Sequence, residues 1–200
     1  MAPENQKTKI AIAALKVAGA AVVFSCCGVY AARSYMPTGY RAPNASAAGL
    51  PFTAACAVLL GPRGPRAALW IFAVGAWYAS VFVANLAAMS SIAGLVVFVY
   101  PPSADFVPVA IAGAFGGCCV TYIRNLALKR TDGLGTGALV GALAALPFGL
   151  WVPIEREAEY YPLTSEKIMI LTRAFTIWQG VVGTYLAMTT WWNIGRSAQK

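Results

Sequence analysis

The sequence predicts an all-α fold, a polytopic bundle of transmembrane helices built around a glycine-rich central hairpin. Two observations predict it. The chain of 200 residues is 59% hydrophobic and only 11% charged, its mean hydropathy is +0.65, and several apolar runs approach or exceed the roughly 20 residues that span a hydrocarbon core. Small residues also recur at four-residue spacing through one of these runs, at Gly133, Gly137, Gly141, Ala145 and Gly149. At about 3.6 residues per turn this spacing draws a stripe poor in side chains along one helix face. Just upstream, Gly113, Gly116 and Gly117 stand among Ala110, Ala112 and Ala114. Lipid supplies no hydrophobic force between helices, so such stripes act by letting two backbones approach closely, as in a glycine zipper. Residues 1–200 read as a single integral membrane domain.

The elements follow in order. Residues 10–32 form the first span, with Lys16 near one end, where its stem can carry the amine back to the interface. Lys7 and Lys9 precede it as in a signal peptide, but the apolar region far exceeds an h-region, which predicts an uncleaved span. A loop rich in Pro, Gly and Tyr covers 33–47 and holds an N-A-S sequon at Asn44. Residues 50–60 are apolar but short, and GPRGPR ends them. Residues 67–89 make a full-length span with Trp70, Trp77 and Tyr78; 92–100 are again apolar but short, closed by Pro101 and Pro102. Residues 106–128 and 132–152 are the two glycine-rich helices, separated by Lys129 and Arg130. The loop 153–167 carries Glu155, Glu157, Glu159 and Glu166, four of the seven acids in the chain. A last span, 168–194, has Arg173 near its start and Trp191 and Trp192 near its end, as an aromatic belt would.

Charge asymmetry sets the expected count. Placing Lys7/Lys9, Arg63/Arg66, Lys129/Arg130 and Arg196/Lys200 on one side leaves the acidic loop on the other. That arrangement needs about six crossings, with 50–60 spanning and 92–100 re-entrant or interfacial; both short runs spanning gives seven, and neither gives five. The net charge of +8 sits at segment ends, where it orients spans, and predicts no nucleic-acid partner.

The inventory of reactive groups is thin. There is no histidine, and Cys26, Cys27, Cys56, Cys118 and Cys119 all lie in apolar runs without C-x-x-C spacing. They read as packing residues, and neither a metal nor a cofactor is expected. G-x-S-x-G and H-E-x-x-H are absent, and no Ser-His or Cys-His pair can form, so the chain reads as no enzyme. The run GLGTGALVG superficially resembles a phosphate-binding loop, but a basic helix end precedes it instead of a strand. Lys16, Arg124 and Arg173 lie near span ends, and mid-span polarity is confined mainly to Gln179 and Asn85. Pro108 falls in a first turn, where proline is tolerated, and Pro147 kinks its helix.

The stretch 104–150 reads ADFVPVAIAGAFGGCCVTYIRNLALKRTDGLGTGALVGALAALPFGL. It resembles the central hairpin of the Tim17/Tim22/Tim23 family of mitochondrial inner-membrane proteins, which includes an accessory membrane subunit of respiratory complex I. The resemblance rests on Asp105, the A-G-x-x-x-G-G pattern at Ala112, Gly113, Gly116 and Gly117, then Arg124, then Gly137, Gly141 and Ala145. It covers about a quarter of the chain. The family usually has four spans, whereas this chain adds a C-terminal span after an acidic loop and extra apolar material before Pro101. The resemblance implies an inner mitochondrial membrane protein, an accessory respiratory-complex subunit or a translocase component; a bacterial inner membrane is the alternative.

The sequence thus predicts a non-catalytic membrane subunit of a hetero-oligomeric complex, partnered by other membrane subunits and lipid. Gly113, Gly117, Gly133, Gly137, Gly141, Ala145 and Gly149 are its expected helix-packing residues, and Arg124, Lys129 and Arg130 its candidates for contact with lipid headgroups or partners. A small transporter or channel lined by Gln179, Asn85 and the broken region near Pro101 is the alternative.

Overall fold

The computed structural model describes residues 3–35, 42–62, 64–76, 79–80, 106–150 and 165–191, and among them every regular element is helical. In chain order these are α1 (Pro3–Tyr35), α2 (Ala42–Leu59), a 3-10 helix Pro65–Ile71 that becomes α-helical over 72–76, α3 (Phe106–Leu128), α4 (Leu134–Ala145), a 3-10 continuation Leu146–Leu150, and α5 (Ser165–Trp191).

Among the described residues two helices are long and apolar enough to cross a membrane, Gln6–Arg33 and Val109–Leu128; Gly49–Leu59, Pro65–Ala76 and Leu134–Gly149 are apolar but shorter. Helix α5 has the length, about 40 Å at 1.5 Å per residue, but Glu166, Lys167, Arg173, Gln179 and its threonines dilute its apolar character. Residues 77–78 and 81–89 of the span expected over 67–89, all of the short run 92–100, and Asn85 fall outside the described residues, as do Glu155, Glu157 and Glu159.

Three boundaries differ from expectation for local reasons. The loop expected over 33–47 is largely helical, because α1 runs on through Tyr35 and α2 begins at Ala42, bringing the Asn44 sequon into a helix. The short run 50–60 is thereby lengthened at its N-terminal end, with Pro51 tolerated inside the helix. The second glycine-rich helix stops being α-helical at Ala145. Pro147 has no N–H to donate to the carbonyl four residues back, and the chain tightens into 3-10 geometry over Leu146–Leu150.

Helices α1 and α5, the first and last of the chain, pack along each other, and so do α3 and α4. The α1–α5 contact depends on three glycines. A methyl on Gly28 would lie 2.5 Å from Thr176 Cα and 2.6 Å from the Phe175 carbonyl oxygen. A methyl on Gly180 would lie 2.8 Å from Ser25 Oγ, and one on Gly183 would overlap the Phe24 ring. Phe24, held over Gly183, stacks at a tilt on Phe52 with centroids 5.3 Å apart. Phe52 in turn meets Trp178 at 5.8 Å, and Phe148 meets Phe175 edge-on at 4.8 Å. Phe24, Phe52 and Trp178 join Cys56, Leu60, Trp70, Val182 and Leu186 in one buried core, with Phe148 packed against it.

Two substitutions on α1 separate intrinsic helix preference from this packing. Nothing lies within 4 Å of a methyl at Gly19, so Gly19→Ala is expected to stabilise by about 0.5–1 kcal/mol through helix propensity. Gly28→Ala, in the same helix, is expected to lower the midpoint of a circular-dichroism melt in detergent, because rigid backbone occupies the space. Equal midpoints for the two variants would contradict this account.

Candidate functional site

The α3–α4 hairpin is the best-defined feature of the molecule. Its seam alternates backbone against backbone. A methyl on Gly113 would overlap the Gly141 carbonyl oxygen and the Ala145 methyl. One on Gly117 would overlap the Gly137 carbonyl oxygen and lie 2.9 Å from Gly141 Cα. One on Gly141 would overlap the Gly113 carbonyl oxygen and lie 2.9 Å from Gly117 Cα. At Gly137 the opposing group is Thr121, whose Cβ would lie 2.9 Å away. The Thr121 hydroxyl donates to the Gly117 carbonyl at 2.7 Å, so this buried polar group is satisfied inside its own helix.

Gly133 and Gly149 stand apart from that seam. Gly133 is the N-cap of α4 in the left-handed region, with φ 76°. A side chain there would be strained and would also meet the Tyr185 hydroxyl at 2.9 Å. Gly149 lies against the Phe106 ring in the 3-10 continuation. Gly116 turns to a third neighbour, with Ser80 Oγ 2.9 Å and Trp178 Cζ2 3.1 Å from a methyl placed on it.

Where α3 ends, a polar cluster ties the hairpin to α5. Lys129 takes a left-handed conformation with φ 54°, and the Arg130 N–H returns to the Asn125 carbonyl at 2.8 Å. This six-to-one bond closes the helix as a Schellman motif does. Arg124, on the last turns of α3, is completely buried. Its Nε and Nη2 donate to Asn125 Oδ1 at 3.1 and 2.7 Å. Nη2 also donates to the Asp132 carbonyl at 3.0 Å, and Nη1 donates to Thr189 Oγ1 on α5. The Asp132 carboxylate is 3.6 Å away and half exposed. Asn125 Nδ2 donates to the same Asp132 carbonyl at 2.9 Å. Arg130 donates to the Thr189 carbonyl at 2.6 Å, and the Tyr185 hydroxyl to the Gly133 carbonyl at 3.1 Å.

The three basic candidates therefore occupy different settings. Arg124 is directed inward, Arg130 is half-buried and bonded to α5, and Lys129 is exposed. Position near a helix end pointed to an interfacial Arg124, since long side chains there usually reach water. The burial follows from Thr189 and Tyr185, which lie far along the chain and give no local signal. Lys16 and Arg173 are exposed.

Gln179 is fully buried, and neither its Nε2 nor its Oε1 has a hydrogen-bond partner. Such groups cost about 1–3 kcal/mol each when left unpaired. Trp70 Nε1 and Thr176 Oγ1 are likewise buried and unpaired. Among the described residues no group of three or more His, Cys, Asp or Glu could hold a metal ion, and the five cysteines are free thiols.

The described residues define an all-α fold in which two helices are able, by length and composition, to cross a membrane. No family model, curated protein or solved structure matches the chain.

Proposed function

We propose that this chain is a non-catalytic accessory subunit of a larger membrane assembly. Its setting in this proposal is the mitochondrial inner membrane, in a respiratory-chain complex of the complex I kind or a protein translocase, with about six crossings in the bundle. One observation carries the reading. The apolar window within Gln6–Arg33 is only 11% buried inside the molecule, and Ile10, Ile12, Leu15, Val22, Val23 and Tyr30 all stand exposed on it. A helix that is apolar around its circumference requires lipid or neighbouring helices to cover it. The α3–α4 hairpin supports the same reading, since its small residues serve helix contact and its buried cation serves the hairpin end. The resemblance of 104–150 to the translocase family supplies the compartment.

The test is native-gel mass spectrometry on gently solubilised membranes, following this chain. Co-migration with respiratory or translocase subunits is the expected result. Migration alone, or as a small homo-oligomer, would overturn the proposal.

A second reading, a small transporter or channel, is favoured by the buried unpaired carboxamide of Gln179. In that case the purified chain alone conducts substrate across liposomes and Gln179→Leu abolishes the flux. Under the subunit reading Gln179→Leu instead removes two unpaired polar atoms, and about 1–2 kcal/mol of added stability is expected from melts in detergent.

A further inference from the structure

A cleft of about 500 Å³ lies between the segment Pro65–Ala76 and helix α3, with Leu134 at one end. Its walls are wholly apolar and include Leu69, Phe72, Tyr122, Ile123 and Leu126. The volume falls in the range of about 300–1,000 Å³ typical of small-ligand sites. The register of the two walls fixes which charges stand at its ends. Ser80 lies beside Gly116, a methyl there being 2.9 Å from Ser80 Oγ. Leu69 and Leu126 line the same cleft, so the two segments run antiparallel, with Leu69 toward the C-terminal end of α3.

At that end stand Arg66, one 3-10 turn before Leu69, and Lys129, just past Leu126; both are exposed. Among the described residues, the other charges at this end are already engaged. Arg130 donates to the Thr189 carbonyl, and the half-exposed Asp132 carboxylate pairs with the buried Arg124. An apolar trough that ends between two exposed cations is complementary to an amphiphile with a long hydrocarbon chain and an anionic head.

We propose that this cleft holds one acyl chain of an anionic phospholipid, with the headgroup phosphate between Arg66 and Lys129. The proposal rests on the membrane reading above, though not on membership of any particular complex. The probe is the full chain released from nanodiscs of phosphatidylcholine and phosphatidylglycerol in equal parts, with retained lipid identified by native mass spectrometry. The wild-type chain is expected to retain phosphatidylglycerol in preference. The double variant Arg66→Gln/Lys129→Gln is expected to lower that preference about thirtyfold, the effect of two surface cations toward an anionic lipid. Cys119→Phe, which fills the cleft from the α3 wall, is expected to remove retention of both lipids. Should that variant fail to fold, Phe72→Asp serves instead, since Phe72 is 67% exposed and lines the opposite wall.

Equal retention of the two lipids by the wild type would overturn the proposal. So would a preference unchanged in the double variant, or lipid retained unchanged in a folded cleft variant. Lipid preference without co-migration on native gels would overturn the assembly reading alone, and co-migration without lipid preference would overturn this inference alone.

Discussion

Gly141→Leu is expected to destroy the α3–α4 hairpin. The space a side chain would need at that position is already filled by the Gly113 carbonyl oxygen and by Gly117 Cα. Side chains can rotate away from an intruding methyl, but two helix backbones can only separate. Separation would also undo the contacts of Gly113, Gly117, Gly137 and Ala145, which share the seam. Overpacking an ordinary core costs about 1–3 kcal/mol, and a backbone obstacle puts this substitution at the upper end or beyond. The measurement is a thermal or denaturant melt in detergent alongside incorporation into the native assembly. Gly135→Leu is the matched control, because it lies in the same helix with nothing within 4 Å of an added methyl. It is expected to melt as the wild type or about 1 kcal/mol higher, by helix propensity. Normal melting and incorporation of Gly141→Leu would refute the close-approach account.

Arg124→Met is expected to produce the second large loss, of about 2–4 kcal/mol. The guanidinium connects α3, the turn before α4, and α5 through Asn125, the Asp132 carbonyl and Thr189. Hydrogen bonds to a charged group are worth about 1.5–3 kcal/mol each, and their removal leaves buried Asn125 incompletely satisfied. Arg124→Lys is expected to recover little, since an ammonium cannot reproduce the planar fork that reaches two elements at once. Asp132→Asn is expected to cost less than about 1 kcal/mol. Its carboxylate is half exposed, and the bonds that order the cluster go to its backbone carbonyl. A ranking in which Asp132→Asn exceeds Arg124→Met would show that the ion pair, not the hydrogen-bonded fork, holds the end of the bundle.

Much of the local structure was legible in the residues. Pro147 marks the place where the second glycine-rich helix leaves α-geometry, because the missing N–H acts wherever the rest of the chain lies. The four-residue spacing of Gly137, Gly141 and Ala145 places them on one face by helix geometry alone. The same spacing enrolled Gly133 and Gly149, which the structure uses differently. Gly133 caps the helix with positive φ, and Gly149 meets an aromatic ring. Periodicity shows which residues share a face but not where the helix begins. The glycines of the α1–α5 contact escaped because Gly28, Gly180 and Gly183 sit singly or in pairs without a repeated interval.

Local composition and periodicity account for the helical class of the described chain, the long apolar character of Gln6–Arg33 and Val109–Leu128, and the small-residue face of α4. These follow from composition and from the 3.6-residue repeat, which act over a few turns of chain. Long-range packing is what brings the first and last helices together, buries Arg124 away from any interface, and opens an apolar cleft beside α3. Each of these depends on contacts between residues far apart in the chain, such as Arg124 with Thr189 or Gly28 with Thr176. Burial and close approach belong to pairs of surfaces, and neither surface alone specifies its partner.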